Sequence, residues 1–362
     1  MLLSLKHTKL LGNELKDGIK RLFITRRPPL IAPEFSCFGI TDECMLSCKM
    51  CYKWKEDIFI KEKTGKPSLD DWKNCASSLR RITGDSFQIN FGGGEPFLKE
   101  GILELIHFCK KEGFKVNVAT NGYLLDEAMA KRIAVSGLDS VIVSLDSLNE
   151  KTHDYLRGVP GVYSRAKGAV GFLEKFCDGI YKGICCVIYE KNLDDILSLL
   201  EWADNDDRIN SIYFMAAMRP NNTPENSQWR EKDEFSCLWP KDPLKASSII
   251  DELINRKKNG SKITNQICQL EAFKSYYQYP EKFVKKTKCN MDRAVHISST
   301  GDIFLCYRWG ALGNIKTDDV VSVWNSERAG RVRQDIAACK NNCHFLLNCF
   351  FEGDYPFYLK MQ

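Results

Sequence analysis

The sequence predicts an α/β fold: a partial (β/α)6, TIM-like barrel with a small cysteine-rich C-terminal extension containing a β-hairpin. Three observations predict it. From about residue 36 short β-rich runs alternate with longer amphipathic ones. The motifs that can carry chemistry fall where strand-like runs end, which is where open parallel sheets bind ligands. Beyond about residue 260 the alternation stops and cysteines accumulate.

Residues 1–34 read as an N-terminal helical segment. Leu10, Leu11, Leu15, Ile19, Leu22 and Phe23 recur at roughly helical spacing, with Lys and Arg between them. A helix packed on the domain behind it is favoured over a membrane-surface helix. Strand-like runs follow at Phe35–Thr41, Phe87–Phe91, Lys115–Thr120, Ser140–Leu145, Gly183–Tyr189 and Ser211–Ala216. Between them lie helical patterns near 69–83, 100–112, 126–135, 163–177 and 193–204. Ser68-Leu69-Asp70-Asp71 opens the first as a capping box, the hydroxyl accepting an orphan N–H and the acid reaching back. Repeated strand–helix–strand units imply right-handed crossovers in a parallel sheet, here the core over 35–217. From 218 to 242 the composition turns to Asn, Pro, Glu and Trp without periodicity, and helical patterning resumes near 244–258. The stretch 218–260 is thus a linker and helix, and 261–362 the cysteine-rich domain.

Composition excludes several classes. Of 362 residues, 44% are hydrophobic and 27% charged, as in ordinary soluble proteins. A net charge of +5 falls short of a nucleic-acid footprint. No apolar stretch reaches transmembrane length. The run Met1–His7 lacks a signal-peptide core, since its apolar residues break off at Lys6. A cytoplasmic location follows as the expectation, where thiols stay reduced.

The most specific motif is Cys44-x3-Cys48-x2-Cys51. With 16 cysteines in 362 residues, random placement would give this spacing about 0.03 times. Cubane iron–sulfur clusters are normally held by four thiolates, so a compact trio suggests a cluster with one iron left open. Open coordination marks a catalytic metal site. Zinc would want four ligands in paired C-x-x-C spacing, and the first gap here is one residue too long. Cys37 reads as a strand residue and Cys75 as a helix residue, so neither supplies a fourth ligand. A disulfide framework does not suit a chain this long without an export signal.

Gly92-Gly93-Gly94-Glu95-Pro96 follows the second strand. Successive glycines let a backbone approach a ligand closely, and Pro96 fixes the exit. The run lacks the Gly-Lys-Ser/Thr ending of a phosphate loop; alone it is also compatible with a plain tight turn. Together with the cysteine trio, Thr120-Asn121-Gly122, Ser144-Leu145-Asp146-Ser147 and His153-Asp154-x2-Arg157-Gly158, it resembles the radical S-adenosylmethionine (radical SAM) superfamily over roughly residues 35–216. The resemblance implies a [4Fe–4S] cluster on Cys44, Cys48 and Cys51, with S-adenosylmethionine as exchangeable ligand of the fourth iron. It implies that the backbone of Gly93, Gly94 and Glu95 meets the cofactor amine. Asn121 belongs to the same cofactor-binding set, and Ser144, Asp146 and Arg157 would lie near ribose and carboxylate. Read without the resemblance, Ser144 and Asp146 could cap the next helix, and Arg157 could serve a surface ion pair. Met50 stands where the family usually has an aromatic residue; its thioether, or the ring of Tyr52, would meet adenine.

In the tail, Cys289 precedes a hairpin expected over Ala294–Ser298 and Ile303–Tyr307, turned by Ser299-Thr300-Gly301-Asp302. Cys306 follows as Gly301-x4-Cys306, then Cys339-x3-Cys343-x5-Cys349. This order is similar to the SPASM and twitch extensions of radical SAM enzymes. Because the final cysteine pair of the fuller pattern is absent, the resemblance implies one auxiliary [4Fe–4S] cluster. Five thiols (Cys289, Cys306, Cys339, Cys343, Cys349) then compete for at most four positions, with zinc the bland alternative. Cys37, Cys75, Cys109, Cys177, Cys185, Cys186 and Cys237 read as small core residues or loop residues. His107, His296 and His344 read as packing or surface residues. Arg26-Arg27 and Lys285-Lys286-x-Lys288 read as solvated faces.

The function expected is reductive cleavage of S-adenosylmethionine to a 5′-deoxyadenosyl radical and hydrogen abstraction from substrate. The resemblance favours a peptide or protein side chain, hence a maturase, although residues 1–34 are too short for the winged-helix element many such enzymes carry. Dehydrogenation or epimerisation of a sugar or aminocyclitol is the alternative, and an iron–sulfur carrier or redox module the non-enzymatic one. The implied partners are a low-potential electron donor, ferredoxin or flavodoxin, and a peptide or small-molecule substrate.

Overall fold

Six parallel strands run in chain order, each pairing with the next. They are β1 (Phe35–Thr41), β2 (Gln88–Gly93), β3 (Lys115–Thr120), β4 (Ser140–Ser144), β5 (Tyr181–Ile188) and β6 (Ser211–Ala216). The computed structural model describes residues 31–51, 65–85, 87–219, 228–232, 234–285, 288–349 and 351. The helical segment expected at the N-terminus lies outside them up to residue 30, as does Tyr52.

The outer layer consists of α1 (Leu69–Arg80), α2 (Ile102–Lys111), α3 (Glu127–Ala134), α4 (Glu150–Arg157), α5 (Val162–Phe176) and α6 (Ile196–Asn205). Ser68 caps α1 with the expected reciprocal bonds to Asp71. Alternation along each strand sorts side chains to two faces. Phe38, Ile89, Phe91, Val116, Val118, Val141 and Val143 are buried in the core, and Phe38 packs on Trp72 of α1 with ring centres 5.2 Å apart. The opposite parity places Cys37, Asn90, Asn117 and Ser140 in one register row across four strands. Ser140 donates to Asn117, Asn117 to Asn90, and Asn90 approaches the Cys37 sulfur at 4.0 Å.

The sequence reading omitted α4. It is only eight residues long, barely two turns; Asn149 caps its start and Gly158, at φ +75°, ends it. Two longer helices follow the barrel, α7 (Pro243–Lys258) and α8 (Ile267–Gln278). The second was also missed, because its buried aromatic residues ring it without a clean stripe.

The cysteine-rich segment continues the barrel sheet. Strand β7 (Ala294–Ile297) pairs parallel with β1. Two antiparallel strands, β8 (Asp302–Phe304) and β9 (Gly313–Asn314), extend it. Helices α9 (Val320–Trp324) and α10 (Glu327–Ala338) come next, then a π turn at Phe345–Cys349. That turn reaches the far edge of the sheet. Asn348 accepts from the Ala216 N–H at 2.8 Å and donates to its carbonyl at 2.9 Å. Asn265 does the same for Phe214, at 2.7 and 2.8 Å. Side-chain amides thus stand where a seventh strand would pair with β6.

Candidate cluster-binding active site

The loop carrying Cys44, Cys48 and Cys51 leaves β1 at the carboxyl edge and is clamped from two sides. On one side the glycine run donates to it: Gly94 N–H to the Thr41 carbonyl at 2.6 Å, and Glu95 N–H to the Glu43 carbonyl at 2.8 Å. A Cβ on Gly94 would lie 2.1 Å from the Glu43 oxygen, and one on Gly93 (φ +118°) 2.3 Å from that of Thr41. Both positions therefore require glycine. On the other side Lys49 N–H donates to the Leu156 carbonyl at 2.9 Å, and Ser47 Oγ to the Gly158 carbonyl at 2.9 Å. A Cβ on Gly158 would meet the Ser47 carbonyl oxygen at 2.1 Å. Leu46 and Val162 fill the space beneath, with Met45, Met50 and Tyr123 packed around them.

Glu95 is a bracket. Its buried carboxylate accepts from Thr120 Oγ1 at 2.8 Å, Asn121 N–H at 2.9 Å and Phe97 N–H at 3.2 Å, tying the ends of β2 and β3 together. Burial pushes its pKa up against those bonds. What the segment offers a ligand amine is carbonyl oxygen, since the N–H groups of Gly94 and Glu95 donate to the cysteine loop. Asn121 points its amide at the Cys44 sulfur, 3.6 Å away, and at Met45 Sδ, 3.5 Å away. Its amide is thus directed at the cysteine loop itself.

Asp146 and Arg157, eleven residues apart, form an ion pair of 2.8 Å. Asp146 is fully buried and also accepts from Val187 N–H at 3.0 Å. It caps no helix, and Arg157 is no surface residue. Burial pushes Asp146 up, opposed by the guanidinium. Burial also works against the Arg157 charge, but Asp146 and Cys48 outweigh it and hold the group protonated. Arg157 in turn hydrogen-bonds Cys48. His153 Nδ1 accepts the Asp146 N–H at 3.1 Å, completing the support. Ser144 ends β4, half-buried, in register with Cys185. Tyr189, buried and within electrostatic range of Arg157 and Cys48, had no motif to announce it.

Burial pushes the Cys44 thiol up to about 11, and raises that of Cys48 too. Ligation deprotonates thiols, so binding iron here releases protons. Three thiols, a glycine cradle and a buried cation fit a cubane with one open iron; the residues present suit the group.

In the extension, Cys289, Cys306, Cys339 and Cys343 sense one another electrostatically, and burial pushes Cys289, Cys306 and Cys343 each to about 11. Cys349 faces a different set, Cys37 first, then Cys343 and Cys185. Among the described residues no three His, Cys, Asp or Glu side chains converge closely enough to hold a single metal ion. Zinc, with sulfurs at about 2.3 Å, would need that convergence; in a cubane each thiolate takes a different iron. Other expectations change. Cys237 is exposed, while Cys37 and Cys185 are half-buried. Lys285 is buried, its ammonium donating to the Phe351 carbonyl, so it is no solvated face.

Family models match at two places: the radical SAM superfamily over residues 39–203 and the SPASM iron–sulfur cluster-binding domain over residues 289–349. The chain belongs to the radical SAM superfamily and is an enzyme of that class. Its C-terminal segment is a SPASM-type auxiliary cluster domain. It is 30% identical over 181 residues to the Fe-coproporphyrin III synthase of Methanosarcina barkeri, spanning 49% of this chain but only 42% of that protein. The AdoMet-dependent heme synthase of the same organism is 24% identical over 86% of this chain and 88% of its own length. Among solved structures, Streptococcus suis SuiB bound to S-adenosylmethionine superposes with a TM-score of 0.65 at 19% identity, covering 98% of this chain and 81% of that one. That likeness establishes the fold. No helix among the described residues is long and apolar enough to cross a membrane.

Proposed function

We propose that the chain reductively cleaves S-adenosylmethionine at the Cys44, Cys48 and Cys51 site and removes a hydrogen atom from a peptide or protein side chain. The carrying observation is the cysteine loop clamped between the glycine run and the end of α4, with Arg157 against Cys48. When bound, the cluster and S-adenosylmethionine supply an electron and a 5′-deoxyadenosyl radical. The chain's own part is to orient and to exclude water. Carbonyl oxygens of the Gly93–Glu95 segment would accept from the cofactor amine. Arg157, held by Asp146, and Ser144 would hold its carboxylate and ribose. Asn121 steadies Cys44.

Cys289, Cys306, Cys339 and Cys343 hold one auxiliary [4Fe–4S] cluster, and Cys349 stays outside it. Held there, that cluster would supply an acceptor for the substrate radical's electron, and ferredoxin or flavodoxin would be the donor to the first. The neutral row Cys37, Asn90, Asn117 and Ser140 favours an amide-bearing substrate over a polyanion. A PqqA peptide cyclase from Granulibacter bethesdensis, 26% identical over 45% of this chain and 42% of its own length, supports the peptide reading. A tetrapyrrole is the second reading, favoured by the match along 88% of the heme synthase. Anaerobic reconstitution with dithionite and chromatography tests the first step: reductant-dependent 5′-deoxyadenosine is expected, and its absence with both clusters intact overturns the proposal. Mass spectrometry then separates the readings, with a precursor peptide encoded nearby and Fe-coproporphyrin III as rival substrates.

A further inference from the structure

His296 of β7 is 2% exposed, and its Nε2 has no hydrogen-bond partner. Buried polar atoms almost always have one, so an orphan calls for a group the polypeptide does not itself provide. The surroundings restrict what that group is. Three rings pack on the imidazole, those of Phe345 at 4.9 Å, Phe35 at 5.7 Å and Tyr307 at 5.8 Å between centres. Tyr307 directly follows Cys306, and Phe345 stands two residues after Cys343. His344, next to Cys343, acts on the imidazole electrostatically, and its Nδ1 lies 3.3 Å from Asn348 Nδ2. Phe304, the strand partner of His296, leads in two residues to Cys306. The imidazole is therefore hemmed in by residues attached to two of the four proposed auxiliary ligands.

We infer that His296 Nε2–H donates a hydrogen bond to a sulfur of the auxiliary cluster, a bridging sulfide or the thiolate of Cys306 or Cys343, and so sets that cluster's reduction potential. Cys37, in register with His296 on β1, is the polar neighbour the sheet supplies, and Nε2 makes no hydrogen bond to it. A donor aimed at cluster sulfur stabilises the reduced, more negative state and raises the potential. His296 is in this account a positioning and tuning residue; it touches no substrate. The inference rests on the auxiliary-cluster reading above and goes beyond it by naming what poises the cluster.

The test is an EPR-monitored redox titration of the reconstituted holoenzyme, with iron counted in every sample. H296F keeps an aromatic ring and removes the donor; H296Q keeps an amide donor. In H296F the auxiliary signal is expected at lower potential, by up to about 59 mV for a tenfold change in the oxidised-to-reduced ratio of a one-electron couple. H296Q should recover part of the shift, and the Cys44, Cys48 and Cys51 cluster should titrate unchanged in both. A weak coupling from 15N-histidine in the reduced auxiliary signal should be present in the parent and absent in H296F. About eight irons per chain with an unmoved potential and no nitrogen coupling would overturn the inference. About four irons per chain in the parent would instead overturn the auxiliary-cluster reading beneath it.

Discussion

At Gly94 a methyl group decides whether the cysteine loop can sit where it does. The obstructing atom is a backbone oxygen, Glu43 O at 2.1 Å, which cannot rotate aside as a side chain would. Gly94→Ala should cost about 1–3 kcal/mol of stability and lose the iron of the first cluster while the auxiliary iron remains; iron counting with EPR checks it. Arg157 makes a second test. Arg157→Met would leave Asp146 fully buried and uncompensated, at a cost of about 3–5 kcal/mol. Adding Asp146→Asn should recover part of the lost melting temperature, since it removes the stranded charge. His153 gives the pH dependence. Burial, then the Arg157 charge, pushes its pKa down from 6.5 to about 3. The unfolded chain thus binds that proton first, so the contribution to stability is full above pH 6.5 and is lost as pH falls toward 3. In His153→Asn, unfolding midpoints followed across that window should lose up to about 1.4 kcal/mol per pH unit of slope. The thiols of the site were legible because Cys44-x3-Cys48-x2-Cys51 is rare by chance. The pairing of Asp146 with Arg157, and of Asn121 with Cys44, was not: it depends on which loops meet at the sheet edge, a long-range fact that no local pattern encodes.

Among the secondary-structure elements, β6 shows how an open barrel manages its last strand. An edge strand presents unpaired N–H and C=O groups, a template for aggregation. Here Ile212 pairs with the backbone of Lys262 and Thr264, Phe214 with the Asn265 amide, and Ala216 with the Asn348 amide. A primary amide carries one acceptor and one donor edge, so it can imitate a peptide group across the ladder. Asn348→Ala would strand a buried N–H and C=O at Ala216, a loss of about 1–3 kcal/mol per unpaired group. Hydrogen exchange at the Ala216 amide should accelerate at least tenfold while that at Val118, in the central strand β3, stays slow; equal rates would refute the bracing role. Periodicity made β1 to β6 legible, since each strand is a run of β-rich residues bounded by turns. It could not reveal that asparagines from two remote segments finish the sheet, because a lone Asn carries no period.

For the molecule as a whole, the extension is the piece that spans the barrel's open side. It enters as β7 on the β1 edge and ends at β6, where Tyr213 Oη donates to the Asn348 carbonyl at 2.6 Å. The auxiliary thiols are thereby strung between the two edges: Cys289 and Cys306 flank the hairpin, whereas Cys339 and Cys343 precede the turn that docks on β6. Cys349 closes that turn, and its electrostatic neighbours are Cys37 of β1 and Cys185 of β5, not the other tail thiols apart from Cys343. If four thiols complete the auxiliary cubane, removing a member and removing the bystander must differ. Cys339→Ser should reduce iron from about eight to about four atoms per chain and abolish the auxiliary EPR signal. Cys349→Ser should keep about eight and alter neither signal, because a hydroxyl fits the same small volume and no iron loses its ligand. Loss of half the iron in Cys349→Ser would assign Cys349 to the cluster and release one of the other four. Since the docked turn also braces β6, Cys339→Ser is expected to loosen the Ala216 amide in the same exchange measurement, tying the cluster's occupancy to the closure of the sheet.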